Sequence, residues 1–222
     1  GTGMAVLVGP NGVELIVGRD RSESFHLATE TPLYDRRWYR VWGSVDADTG
    51  KITVGQQCLG GESVCESVSN VTAIALANNA SILIGALSIE PTSGSFNGKV
   101  EAPKIHGAAI DPTESDANLM AHWNFSNSIS SKRVIDVGPL MLHGHVVNAP
   151  ARAMTGSNWR GEEMRWQHAP ETYGAIHFHE DDIADCGWQT DFDFTVPDDL
   201  KSGLYAARLK SGDNWEALPF VI

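Results

Sequence analysis

Trp38-Tyr39-Arg40-Val41-Trp42-Gly43-Ser44-Val45-Asp46, then Ala47-Asp48-Thr49-Gly50, then Lys51-Ile52-Thr53-Val54-Gly55-Gln56, is the stretch from which the fold of this 222-residue chain is read. Trp38, Arg40, Trp42 and Ser44 fall on one face of an extended segment and Tyr39, Val41 and Val45 on the other, the period of two that a strand requires. The connection ends in Gly, where a left-handed backbone carries no Cβ clash, and Ile52 and Val54 resume the alternation. The spacing therefore predicts a β-hairpin. Two Trp and a Tyr within five residues bring more apolar area than one hairpin can shed. This places the strand in the middle of a sheet, with at least one indole buried against a second sheet.

Apolar residues make up 42% and charged residues 20%, which excludes wholesale disorder and leaves a chain able to bury a full core. The net charge of −12 is scattered rather than blocked, so duplex nucleic acid and anionic membranes are poor partners. No apolar run is long enough to span a bilayer, and no basic stretch precedes an apolar one near residue 1, so no targeting signal is read. The three cysteines, Cys58, Cys65 and Cys186, have no metal-ligand spacing. They are read as reduced thiols of a cytoplasmic protein, with a Cys58–Cys65 bridge as the alternative for an exported one.

Outward from the central hairpin, Ala5–Val8 and Val13–Val17 flank Gly9-Pro10-Asn11-Gly12 and predict a second hairpin. Gly18–Glu30 and Leu59–Ser69 read as loops. Strands are predicted at Ser81–Ala86, Phe96–Ile105, Ala121–Phe125, Val134–Val137 and His143–Val147, and a single short helix from Asp111 to about Met120. From Thr155 the texture turns irregular and aromatic, which sets a boundary between a domain over 1–155 and a smaller one over 156–222. The second contains strand candidates at Tyr173–His179, Asp191–Pro197, Ser202–Leu209 and Leu218–Ile222. Short strands at even spacing with Gly and Pro turns predict an all-β fold.

The succession Trp38-Tyr39-Arg40-Val41-Trp42 before Asp46-x-x-Thr49-Gly50, Ile84-Gly85-Ala86, Phe96-Asn97-Gly98-Lys99-Val100 and Ala121-His122-Trp123-Asn124-Phe125 resembles a concanavalin-like, laminin-G type jelly roll, with its Trp-x-Phe strand late rather than first, as in a permuted or inserted sandwich. Pro197-x-x-Leu200-x-Ser202-Gly203-x-Tyr205 before an alternating strand resembles the late strands of an immunoglobulin-like module, incomplete at this length. In this order, and with Tyr173-Gly174-Ala175-Ile176-His177-Phe178-His179 between them, the two resemble the N,N-dimethylformamidase large-subunit family over most of the chain. That resemblance implies a laminin-G type insertion in a split immunoglobulin-like module of an amidohydrolase acting on linear amides. It also implies a mononuclear iron held by Tyr and Glu in a catalytic domain outside these residues, no cofactor in this chain, and as partners the remainder of a larger polypeptide and other subunits. The expected role is non-catalytic, serving assembly and access to an active site. The alternative is a carbohydrate-binding jelly roll.

Four constellations could carry chemistry. His177-Phe178-His179 puts two imidazoles on one strand face with Asp182 close by, the donor types and spacing of two-His metal sites, against the plainer reading of a hydrogen-bonded strand end. His143-Gly144-His145 repeats the spacing without carboxylates. Asp46-x-Asp48-x-Gly50 has oxygens for calcium, but it is also good turn chemistry with no ion. Trp159, Trp166 and Trp188 could form a sugar-stacking platform or pack against a neighbouring domain. No catalytic site is read. Nucleophile elbows, phosphate loops, dinucleotide fingerprints and zincin motifs are absent from the sequence.

Overall fold

The computed structural model describes residues 3–19, 22–72, 74, 76, 80–89, 92–109, 117–182 and 186–222. The chain is all-β and divides into two compact units, Gly1–Ala184 and Asp185–Ile222. In the first unit, β1 (Met4–Gly9), β2 (Gly12–Gly18) and β3 (Ser24–Ala28) form one antiparallel sheet, and β4 (Tyr39–Val45), β5 (Lys51–Cys58) and β6 (Val64–Asn70) another. After a two-stranded ribbon of β7 (Ser88–Ile89) and β8 (Thr92–Ser93) come β9 (Gly98–Glu101), β10 (Lys104–His106), β11 (Leu119–Asn124), β12 (Arg133–Asp136), β13 (Gly144–His145), β14 (Ala151–Met154) and β15 (Ala175–Phe178). They form a four-stranded sheet in the order β10-β11-β12-β13 and a three-stranded sheet in the order β14-β15-β9. The second unit holds one hairpin, β16 (Leu204–Ser211) and β17 (Asn214–Val221).

Two cores follow from this layout. Val13, Leu15 and Val17 of β2 face Ile52 and Val54 of β5, and Val71 closes the cluster. Ala121 and Trp123 of β11, Phe125 and Val134 meet Ile176 of β15. A polar knot sits beside the first core: the Val13 amide donates to Thr29 Oγ1 (3.0 Å) and Gln56 Oε1 (3.2 Å), and Gln56 Nε2 donates to the Thr31 carbonyl (2.8 Å). Gln56 is 4% exposed, so these bonds replace the water it gives up.

Both predicted hairpins form. Pro10 and Asn11 turn β1 into β2, and Gly50 takes φ 72° where the second hairpin closes. The position of the aromatic strand differs from the expectation. β4 lies at the edge of its sheet and β5 in the middle. Trp42 pairs with Gly55 on the outer face, whereas Gly43, one residue on, faces Val6 and Leu15 of the facing sheet. Both Trp38 and Trp42 are half-buried rather than core residues. The indole is accommodated by the glycine beneath it, since a Cβ on Gly55 would lie 2.1 Å from a Trp42 ring carbon.

Two predicted loops contain strands. Ser24–Ala28 carries only Phe25 and Leu27 as anchors, but they stand opposite Val17 and Leu15, which is enough for an edge strand. In β6, Cys65, Ser67 and Ser69 occupy the inner face and Val64 and Val68 the outer one, which hides the usual apolar signal. Conversely, the described residues of Ser81–Ala86 and Asp191–Pro197 form no strand. The predicted helix falls largely on residues outside the described ones, and its end, Leu119 and Met120, opens β11.

Replacing Gly55 by Val should destabilise the first unit by about 1–3 kcal/mol, because Trp42 must leave its seat. Urea denaturation followed by Trp fluorescence measures this, and the Trp42→Ala, Gly55→Val double variant should cost less than the sum of the two single changes.

Candidate functional site

β15 is the middle strand of its sheet, with β14 and β9 on either side. Alternation sends Ile176 into the second core, with Phe178 packed against it, and turns His177 to the opposite face, level with Lys99 of β9 and Ala151 of β14. His177 and His179 come together there, their ring centroids 4.0 Å apart at a tilt of 49°. A tight turn follows. The Asp182 amide donates to the His179 carbonyl (3.3 Å), Asp182 Oδ2 accepts from the His179 amide (2.9 Å), and Asp182 Oδ1 lies 3.3 Å from His179 Nδ1. Asn97 Oδ1 accepts the Glu180 amide (2.8 Å), which ties the turn to the approach of β9.

Burial, the neighbouring His179 and the Lys99 ammonium hold the His177 pKa below the ordinary imidazole value, with Asp182 opposing them. Lys99 is anchored by donating to Thr155 Oγ1 (2.8 Å) and the Thr155 carbonyl (3.2 Å). The structure thus brings His177, His179 and Asp182 to one corner. No group of three or more His, Cys, Asp or Glu side chains arranged to hold a metal is found among the described residues.

Three of the four tyrosines place their hydroxyls in hydrogen bonds within the chain. The Tyr173 hydroxyl donates to the Glu163 carbonyl (2.7 Å) and the Tyr205 hydroxyl to the Lys201 carbonyl (2.6 Å), while the Tyr39 hydroxyl accepts the Tyr34 amide (3.2 Å). Glu163, whose carbonyl accepts the Tyr173 hydroxyl, directs its carboxylate to the Arg165 amide and His168.

At the other candidates the structure supplies local roles. Asp46 Oδ1 accepts the amides of Asp48 (3.0 Å) and Thr49 (3.2 Å), so the turn is closed by its own backbone. Hydrogen bonds from the Thr49 side chain and backbone hold its carboxyl below the ordinary range. Trp159 and Trp166 are half-buried in the connection between β14 and β15, where Trp159 Nε1 donates to the Glu163 carbonyl (3.2 Å). Trp188 belongs to the second unit and is 86% exposed. Cys58, Cys65 and Cys186 are free thiols. Cys65 lies opposite Gln56, beside the polar knot, and contacts Thr31 Oγ1 (3.2 Å).

The sequence reading passed over Asp136. Its carboxylate is 2% exposed and accepts three amides: His122 (2.7 Å) and Gly138 (2.7 Å) on Oδ1, and Leu142 (2.6 Å) on Oδ2. His143 Nδ1 in turn accepts the Asp136 amide (3.2 Å), and Trp123 Nε1 donates to the Leu142 carbonyl (2.7 Å). Burial raises the Asp136 pKa, but the three amides and His143 outweigh it and hold the carboxyl below its ordinary value. The available signal was a carboxylate ending an apolar strand with glycine two residues on. His143 is therefore part of a loop clamp, and both His143 and His145 are exposed.

Residues 151–222 match the family model described as N,N-dimethylformamidase beta subunit-like, C-terminal. An N,N-dimethylformamidase beta subunit from Alcaligenes sp is 30% identical over 244 residues, covering 95% of this chain and 32% of the relative. Its counterpart from Paracoccus aminophilus is 30% identical over 240 residues, covering 93% of this chain and 32% of the relative. Over nearly its whole length the chain is similar to part of the N,N-dimethylformamidase beta subunit. It spans about a third of the length of the curated relatives it matches.

Asp136→Asn keeps an oxygen for His122 and Gly138 but turns an N–H toward the Leu142 amide. The variant should lose about 2–3 kcal/mol at pH 7. Because the folded pKa is depressed, the carboxylate's stabilisation is full above the ordinary value of 3.8 and is lost as pH falls below it. Urea melts at descending pH should show the gap between native chain and variant closing below about pH 4.

Proposed function

We propose that this chain is a non-catalytic, β-rich region of a dimethylformamidase-like amidohydrolase subunit, serving assembly and shaping access to an active site formed elsewhere. The observation that carries this reading is the alignment of nearly the whole chain with relatives named as N,N-dimethylformamidase beta subunits, at about a third of their length. In this proposal the first unit is a laminin-G type jelly roll and the family's iron lies outside these residues.

The second unit supports an assembly role. The Tyr205 hydroxyl donates to the carbonyl four residues upstream at Lys201, the corner that immunoglobulin-like modules use between late strands. Phe220 packs against Tyr205 and Phe194, with ring centroids 5.8 and 5.6 Å away, and gives the hairpin one partly covered face. Leu204, Trp215 and Val221 stay 62–78% exposed. Two strands with this much apolar surface are marginal in water, and further strands from the same module would complete them. The module boundary near residue 156 is supported by the start of the family match at residue 151. In a split module, β14 and β15 would be spliced onto β9 of the inserted jelly roll, as they are paired here.

Hydrolysing an unactivated amide needs an activated water or nucleophile beside a group that stabilises the developing oxyanion. The purified chain, assayed for dimethylamine release from dimethylformamide with and without added ferrous or ferric iron, should match the protein-free blank. Metal-dependent turnover abolished by His177→Ala would overturn the non-catalytic assignment.

A further inference from the structure

We propose that His177 and His179 form a surface clip for one divalent transition-metal ion, with Asp182 orienting His179 through its other ring nitrogen. His177 lies on the face of β15 turned away from the second core, and His179, one residue past the strand's end, brings its ring within 4.0 Å of it and leaves 39% of its side chain exposed. Asp182 Oδ1, 3.3 Å from His179 Nδ1, favours the tautomer protonated there, which leaves the Nε2 lone pair for a metal. A carboxylate behind a ligating imidazole is the usual outer-shell arrangement at such ions, and it fixes both tautomer and ring orientation.

The corner is also held in place. The reciprocal bonds between His179 and Asp182, and the bond from the Glu180 amide to Asn97, fix the turn before any ion arrives. At a metal–nitrogen distance of about 2.1 Å, two imidazoles on one ion keep their ring centres roughly 4.6–5.3 Å apart. The observed 4.0 Å therefore requires an opening of about 1 Å, within reach of χ rotation at half-buried side chains. Two nitrogen donors select zinc, nickel or copper over magnesium and calcium. With only two side-chain ligands the remaining positions are left to water, so the clip is open rather than a closed structural site. Lys99, level with His177, opposes a cation, but its ammonium is tethered to Thr155, and Asp182 with the exposed Glu180 and Asp181 supplies offsetting charge.

The proposal stands apart from the functional reading above, since the clip can bind metal whether or not the subunit hydrolyses amides. Titrating the chain, its thiols alkylated, with nickel or zinc by calorimetry should show one equivalent bound. His177→Ala and His179→Ala should each weaken binding at least about 10-fold, and Asp182→Asn by about 10-fold. His143→Ala, in the other pair of the same spacing, should leave binding unchanged. In the unsubstituted chain, substoichiometric copper should broaden the imidazole resonances of His177 and His179 before those of any other histidine. Absence of binding, binding indifferent to His177→Ala and His179→Ala, or broadening that begins elsewhere overturns the proposal.

Discussion

Every sheet among the described residues is narrow, from two to four strands, and a narrow sheet can bury an apolar face only by standing against another sheet. The first unit meets that constraint twice. β2 and β5, each the middle strand of three, turn Val13, Leu15, Val17, Ile52 and Val54 toward one another, and β11 and β15 do the same with Ala121, Trp123 and Ile176. The polar ties are placed where the two cores begin or end. Gln56 and Thr29 satisfy the first amide of β2's core stretch, and Asp136, at the end of β12, gathers one amide of β11 and two of the following loop. The described residues of the second unit contain only the β16–β17 hairpin, with no facing sheet of their own.

Both tight hairpins were legible in the sequence because their turns have a fixed chemistry. Gly50 supplies a left-handed φ that other residues adopt only with strain, and Pro10-Asn11 pre-sets the other turn. Which face of β4 is buried was not legible. Aromatic area pointed to Trp38 and Trp42, yet Trp42 packs its indole against Gly55 on the opposite face of the sheet, half-buried, and the inner face is filled from the other sheet by Leu15, beside Gly43. A glycine seat across the sheet depends on register, which alternation within one strand does not contain. β6 was missed for a related reason, since its inner face carries Cys65, Ser67 and Ser69 against a polar region, so burial there does not demand apolar residues.

At the candidate site, the His-x-His spacing runs across the end of β15, and the two rings of His177 and His179 lie side by side there. Lys99, Asn97 and Thr155, which anchor or charge the same corner, are 56 to 83 residues away from their hydrogen-bond partners. Contacts of that separation are fixed by topology and have no local signature. Asp136 shows the converse case: its identity and the following glycine are local, but its burial became visible only once β11 and the 138–142 loop were seen to donate to it.

The account's central claim is that residues 185–222 hold strands of a module completed from elsewhere, while the first unit carries its own cores. Amide hydrogen exchange of the chain in native buffer tests it most directly, because protection follows the free energy of local opening. The account predicts strong protection in β2, β5, β11 and β15 and rapid exchange along β16 and β17 despite their ladder of paired residues. Protection of β16 and β17 equal to that of β2 and β5 would mean that the second unit is stable as it stands, and would contradict the split-module account.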